Sequence, residues 1–315
     1  VLLPELLYGL IVTDQSGFFV VETPEGARIT CRLRGRLMEE AQSSDIAAIG
    51  DRVGFVMNDD GSGAIEEIME RTSVISRAMR TEGARGAGAR EREQVIIANA
   101  DQAMFVFAAA QPDPSPRMID RFLVMGEKSG IPSTLVMNKS DLDTSGEART
   151  LMGVYERLGY RVLYTSAVTG SNLDELRGAL LGKISVFTGP SGVGKTSLLN
   201  RLQPGLGRAV KNVSQYHQEG QHTTRASELV RLEGGGYLAD TPGMRTLTIW
   251  DVEPEELDGY FVEIAERVRQ CKFANCQHRR EPGCAVREAV ERGDIARTRL
   301  DSYRILRDEL QAAYT

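Results

Sequence analysis

Up to about residue 72, apolar and polar positions alternate in short runs, LYGLIV, FFVVE, ARITCRL, DRVGFVM and AIEEIM, separated by the turn clusters TDQSG, TPEG and NDDGSG. A period of two in runs this short marks half-buried strands. Strands so closely spaced predict a small closed β-barrel over 1–72, of the size and kind of an oligonucleotide-binding (OB) barrel. From residue 77 the periodicity stops. RAMRTEGARGAGAREREQ is rich in Gly, Ala and Arg and predicts a mobile linker over 73–94.

Beyond the linker the period changes. QAMFVFAAA (102–110), IPSTLVMNKSD (131–141), YRVLYTSA (160–167), KISVFTGPSG (183–192) and GGYLADTPG (235–243) are short buried-strand runs, and amphipathic stretches such as MIDRFLVMGEKSG lie between them. That succession predicts a parallel α/β sheet over 95–250, with ligands bound past the strand ends. After Trp250 the chain turns polar and helical, which predicts a small third domain over 251–315.

Composition narrows the class. The chain has 315 residues, 41% hydrophobic and 26% charged, the balance of a globular protein with room for two or three domains. No apolar run approaches the roughly 20 residues of a membrane span, so no membrane partner is expected. The apolar start VLLPELLYGLIV lacks a basic flank and a small-residue cleavage site and is not expected to be a signal peptide. The net charge of −6 argues against indiscriminate coating of nucleic acid. Residues 1–72 hold 6 basic and 13 acidic residues, which weighs against RNA binding by the barrel alone and leaves a plain docking role equally open. Residues 267–307 instead hold 11 basic against 5 acidic residues, the better candidate for a polyanion, with a solvated helical face as the alternative.

The chemistry-bearing motifs sit at predicted strand ends. Gly189, Pro190, Ser191, Gly192, Val193, Gly194, Lys195, Thr196 and Ser197 spell GPSGVGKTS between the apolar run ISVFT and the helical SLLNRL. Glycines there let successive backbone N–H groups face phosphate oxygens, Lys195 supplies charge to the β- and γ-phosphates, and the Thr196 hydroxyl suits Mg²⁺. DTPG, with Asp240 for Mg²⁺ and Gly243 for the γ-phosphate, follows 45 residues after Lys195. In NKSD (Asn138, Lys139, Ser140, Asp141) the Asp141 carboxylate can accept hydrogen bonds from the ring N–H and exocyclic amine of guanine, which adenine does not offer in that arrangement; an ATP-dependent enzyme is disfavoured on this ground. Ser166 and Ala167 of TSA supply a backbone N–H to the guanine oxygen, and GQHTTRASEL (220–229) offers Thr223 or Thr224 as the switch threonine. Met244 stands where a water-orienting Gln follows DxxG in Ras-like enzymes, so slow intrinsic hydrolysis is expected, with His222 the nearest group to position water.

Cys271, Cys276, His278 and Cys284 form C-x4-C-x-H-x5-C. Three of the four cysteines lie in this stretch, which favours a metal site in a reducing, cytoplasmic compartment over disulfides. Three thiolates and one imidazole make a closed tetrahedral set, so a structural Zn²⁺ is expected there, in place of a core that so short and polar a segment cannot build. Cys31, far off in the barrel, reads as a core residue. Arg267, Arg269, Lys272, Arg279, Arg280 and Arg287 surround the cluster and make a candidate RNA-facing surface.

The motif order NKSD, TSA, GPSGVGKTS, GQHTT, DTPG is the standard GTPase order circularly permuted, since chains with neighbouring surface termini tolerate that change. Together with the barrel and the cysteine segment, it makes the sequence resemble, over nearly its whole length, the circularly permuted GTPases of small-ribosomal-subunit biogenesis, the RsgA or YjeQ family. The resemblance implies an α/β circularly permuted P-loop GTPase domain with an OB-like barrel before it and a helical zinc-binding domain after it. It implies a hydrolase that turns GTP into GDP on the small ribosomal subunit and its rRNA, stimulated by that subunit, and it supports a role for His222; a monomer fits that docking. Loss of γ-phosphate contacts is expected to reorient the zinc domain through the chain that joins it to DTPG. A non-enzymatic, guanine-nucleotide-dependent RNA-binding scaffold is the alternative.

Overall fold

The computed structural model describes residues 5–15, 17–40, 46–79, 92–207, 209–210, 227–239 and 252–314. His222, Thr223, Thr224, Asp240, Gly243 and the central part of the expected linker lie outside the described residues. Two compact units divide the chain: 1–102, 177–188 and 199–245 form the first, and 103–176, 189–198 and 246–315 the second.

In the first unit, strands β1 (Leu7–Gln15), β2 (Phe18–Glu22), β3 (Arg28–Leu33), β4 (Arg52–Met57) and β5 (Gly63–Ile68) run in the order β1-β2-β3-β5-β4. β4 pairs back onto β1, closing a five-stranded barrel in which β3 and β5 are parallel. The alternation read in the sequence lines its interior, where Ile11, Val21, Cys31, Val53, Phe55 and Ile65 are fully buried. Gly63 is required at the β3–β5 contact, because a Cβ there would lie 2.5 Å from the Cys31 sulfur. Cys31 is thus a core residue, and burial pushes its thiol up to about 11.

The region expected as a linker departs from that reading at both ends. β6 (Val74–Met79) and β7 (Arg92–Ala98) pair antiparallel, with Val74 opposite Ala98 and Ile75 opposite Ile97. Ile75, Val95 and Ile97 are buried, so short β-branched runs on either side of a Gly/Ala/Arg stretch find each other. Asn99 ties the pair to the barrel: its Oδ1 accepts from the Thr72 N–H (2.8 Å) and its Nδ2 donates to the Gly50 carbonyl (2.9 Å).

The first unit also holds three strands of the α/β region. β8 (Gln102–Ala108), β9 (Ser133–Asn138) and β10 (Arg161–Tyr164) precede them in the chain and belong to the second unit almost entirely. β11 (Ile184–Thr188) runs parallel to β13 (Tyr237–Ala239), as expected. Between the last two in sequence lies β12 (Ser227–Arg231), which the sequence did not mark; it is antiparallel to β13 and also to β1 of the barrel. The sheet is therefore mixed at this edge.

In the second unit β8, β9 and β10 are parallel, in that order. Helix α1 (Gly35–Glu40) belongs to the barrel, whereas α2 (Pro116–Lys128) and α3 (Glu147–Arg157) flank these strands. α2 starts with Pro116 in its first turn, where no N–H is needed. It buries Ile119, Phe122 and Leu123, and Phe122 meets Phe107 of β8 edge-on at 5.4 Å.

The C-terminal region builds more core than its polar sequence suggests. Val252, Leu257, Phe261, Ile264, Val286, Ala289, Ile295, Leu300, Tyr303, Leu306 and Leu310 are buried in one cluster with Cys276, Cys284 and Val124 of α2. The expectation that a metal stands in for a core is corrected accordingly. The long C-terminal helix Arg297–Tyr314 brings its apolar face to α2, and shared burial compensates for what 63 described residues lack alone.

Candidate functional site

The base-reading and phosphate loops meet at one side chain. Asn138, at the end of β9 and 1% exposed, donates from Nδ2 to the Val193 carbonyl (2.8 Å) and accepts at Oδ1 from the Ala167 N–H (3.3 Å). One amide therefore braces NKSD, TSA and GPSGVGKTS against each other. Lys139 takes the left-handed conformation (φ 56°, ψ 35°), which turns the chain into the short helical turn Ser140–Leu142, and its Nζ donates to the Gln111 carbonyl. The Ser140 N–H donates to the Thr165 carbonyl (3.0 Å), and Asp141 is left exposed at the rim. Thr165 and Ser166 are fully buried, and the Ser166 hydroxyl accepts from the Thr169 N–H (3.1 Å).

The phosphate loop has the shape its glycines allow. A Cβ on Gly189 would lie 2.0 Å from the Val106 carbonyl oxygen, and one on Gly194 would lie 2.4 Å from Asn138 Nδ2. Gly192 and Gly194 have φ values of 80° and 93°, which only glycine adopts cheaply. Val193 is buried beneath the loop, whereas Ser191, Gly192, Thr196 and Ser197 are exposed around the start of α4 (Lys195–Leu202). Lys195 Nζ donates to the carbonyls of Gly189 and Pro190 (both 2.6 Å), which holds the ammonium over the loop. The geometry offers backbone N–H groups, a helix N-terminus and a fixed cation on one side, and a carboxylate some loops away on the other. That set suits a nucleotide read at both ends.

The ligand atoms of Cys271, Cys276, His278 and Cys284 all lie within 4.8 Å of one another. His278 Nδ1 is 3.7 Å from the Cys271 sulfur and 3.4 Å from that of Cys284. A metal bound tetrahedrally by sulfur and nitrogen sets its ligands roughly 3.5–3.8 Å apart, so the four residues fit such an ion as they stand. Burial pushes the Cys276 thiol up to about 12 and Cys284 upward as well; a bound cation is what holds buried sulfurs as thiolates. Around the ligands, the His278 carbonyl accepts from Arg304 Nε (3.0 Å), Tyr303 packs on the His278 ring at 5.5 Å, and an Asp258 carboxylate oxygen lies 3.9 Å from Nε2.

A family profile for the RsgA GTPase matches residues 68–250, and one for the RsgA N-terminal domain matches residues 8–65. The chain belongs to the RsgA GTPase family. The relative from Gemmatimonas aurantiaca, named small ribosomal subunit biogenesis GTPase RsgA, is 42% identical over 96% of this chain and 97% of its own. A protein of the same name from Bacteroides fragilis is 36% identical over 97% and 98%. Among solved structures, YjeQ from Thermotoga maritima superposes with a TM-score of 0.76 at 37% identity, covering 98% of this chain and 99% of that one. YloQ, described as a circularly permuted GTPase, gives 0.75 at 31% identity, covering 98% and 96%. The RsgA fold is that of a circularly permuted GTPase domain behind a five-stranded barrel, which is why NKSD and TSA precede the phosphate loop.

Within this RsgA chain the structure brings together Asn138, Lys139, Ser140, Ser166, Ala167 and the phosphate loop, and separately the four metal-ligand candidates. Three features escaped the sequence reading. Gln111 lends only a backbone carbonyl to Lys139, which no side-chain pattern can signal. Of the six basic residues read as an RNA-facing surface, Arg279 pairs with Asp308, and Arg287 with Glu291 at 3.9 Å. Arg279 and Arg280, with Glu281 and Arg304, still line an open depression of about 660 Å³.

The third is a buried ion cluster. Arg299 on the C-terminal helix, 1% exposed, donates to both oxygens of Glu263 (2.6 and 2.9 Å) and to Asp120 Oδ1 of α2 (2.6 Å). The Tyr155 hydroxyl of α3 donates to the same Asp120 oxygen at 2.7 Å, and the guanidinium lies 4.4 Å over the Phe261 ring. This clamp and the shared core join the C-terminal helix to α2 within the second unit.

Proposed function

We propose that this RsgA protein binds GTP between NKSD/TSA and the phosphate loop and hydrolyses it to GDP and phosphate while bound to the small ribosomal subunit, in the maturation of that subunit. The observation that carries the reading is the Asn138 side chain. By bonding to both Val193 and Ala167 it fixes the loop that reads the base relative to the loop that holds the phosphates. In this reading Asp141 pairs with the guanine edge, Lys139 lies against the base, and Ala167 presents its N–H to the guanine oxygen. Gly189 to Ser197 wrap the phosphates. Thr196 and Asp240 would hold Mg²⁺, which when bound with GTP offsets phosphate charge. Gly243 meets the γ-phosphate, Thr223 or Thr224 serves as switch threonine, and His222 positions water in place of the Gln that Met244 replaces. With Met244 where a water-orienting Gln would stand, intrinsic hydrolysis is slow and turnover depends on the partner.

The names of the relatives support the small subunit as that partner, and the exposed Arg269, Lys272 and Arg280 supply the positive surface an rRNA contact needs. Zinc fits the thiolate-rich set best, in a structural role, because four protein ligands leave no open position. A cytoplasmic location agrees with the free cysteines, and the protein acts as a monomer in this reading; among the described residues no helix is long and apolar enough to cross a membrane.

GTP hydrolysis measured alone and with purified small or large subunits tests the proposal. A rate raised at least ~10-fold by small subunits only is the expected result, since a group or order supplied in trans commonly gives 10³ or more. Equal rates in all three would leave the scaffold reading. Metal content gives a second test. Chelation should release one zinc per chain with uptake of protons by the freed thiols, and hydrogen exchange should rise across 271–284 while the C-terminal helix stays protected by its own apolar core. Loss of protection throughout 252–314 would show instead that the metal holds the whole domain together.

A further inference from the structure

Glu22 ends β2 of the barrel and is 3% exposed, yet it carries a carboxylate. Its partners come from two directions. Arg28 Nε of the barrel donates to Oε2 at 2.9 Å, whereas Arg231 Nη1 (2.9 Å) and the Tyr237 hydroxyl (2.7 Å) both donate to Oε1. Arg231 is the last residue of β12 and Tyr237 the first of β13, so one barrel carboxylate holds both arms of that hairpin at its closed end. At the open end the barrel makes a second contact: Thr13 and Asp14 of β1 pair with Glu228 and Ser227 of β12, and Arg28 also reaches Glu228 at 3.5 Å. Only Arg225 and Ala226 separate Thr224 from the start of β12, and β13 ends at Ala239, the residue before Asp240 and four before Gly243.

We propose that Glu22 is a positioning residue for GTP hydrolysis, through which the barrel fixes the β12–β13 hairpin and hence the anchor points of the two segments that meet the γ-phosphate. The proposal rests on the hydrolase reading above. The barrel is then part of the catalytic apparatus as well as a docking module, and a ligand that alters strand β1 or β2 alters turnover. Both Glu22 carboxylate oxygens are bonded to protein groups, and the residues expected to take the base and the β-phosphate lie elsewhere in the chain; its loss therefore acts on kcat and spares GDP affinity.

Steady-state GTPase kinetics, with and without small subunits, and GDP affinity by fluorescence titration are compared for the full chain, Glu22→Ala, Tyr237→Phe and the double variant. Arg28 and Arg231 have half-exposed side chains, so neither is left as a buried charge when Glu22 is removed. Tyr237→Phe keeps the ring and deletes one hydrogen bond. Expected are a kcat about 10-fold lower in Glu22→Ala, on the scale of small misplacements of catalytic groups, a smaller fall in Tyr237→Phe, a double variant no worse than Glu22→Ala, and GDP affinity within about twofold of the parent throughout. Unchanged kcat in folded variants overturns the coupling, as does a parallel loss of GDP affinity and kcat, which marks a merely structural role. A parent chain without GTPase activity overturns the hydrolase reading and the coupling together, so the two failures are distinguishable.

Discussion

Replacing Arg299 with Met lowers stability by about 3–5 kcal/mol, the usual cost of removing one partner from a buried ion cluster. The cause is what remains behind. Asp120 and Glu263 are 0% and 7% exposed, and without the guanidinium both carboxylates lose their counter-charge in a place where water does not replace it. Even with Arg299 present, burial outweighs its attraction and holds the Asp120 carboxyl above its ordinary value, whereas the Arg299 guanidinium is driven further toward its charged form by its two carboxylate partners despite burial. Arg299 is thus held in its charged form between its two carboxylate partners. Denaturant unfolding followed by far-UV circular dichroism gives the loss. Combining Arg299→Met with Asp120→Leu and Glu263→Leu should recover most of it, because an apolar replacement of the whole set removes the unpaired charges. A single Arg299→Met variant as stable as the parent would falsify the clamp between the C-terminal helix and α2.

Asp141→Asn weakens GTP binding by about a hundredfold and turns preference toward xanthosine triphosphate. Two charge-assisted hydrogen bonds to the guanine edge are each worth ~1.5–3 kcal/mol, and Asp141 is exposed, so the lower end applies. Asparagine offers an amide N–H₂ where the carboxylate accepted, a mismatch to the guanine amine and a match to the 2-oxo group of xanthine. Competition of GTP, ATP and XTP against a labelled nucleotide measures it; GTP affinity within threefold of the parent would show that Asp141 does not read the base. The neighbouring Asn138 supplies a contrast. Its amide is spent on Val193 and Ala167, so its replacement should harm all nucleotides alike.

Much of this was legible from residues alone because it depends on local geometry. GPSGVGKTS needs glycine where the backbone turns left or approaches Val106, and Cys271, Cys276, His278 and Cys284 stand close enough in sequence to be read as a candidate ligand set. The barrel was legible because period-two alternation reports a buried face whichever partner covers it. β12 was not, since SELVR is one short run whose pairing with β1 lies more than two hundred residues away in the chain. The β6–β7 pair was hidden by the Gly- and Arg-rich stretch between its arms.

The sequence by itself determined the permuted order of the nucleotide motifs, the base preference expected of Asp141 and the set of four candidate metal ligands, because each is a property of a few nearby residues. Tertiary structure decided what joins the parts. Only folding puts Glu22 against Arg231 and Tyr237, Arg299 between Asp120 and Glu263, and Val124 into the C-terminal core. A buried carboxylate or guanidinium looks like any surface charge in a sequence; desolvation makes it costly and its partners necessary, and desolvation exists only once the chain has packed.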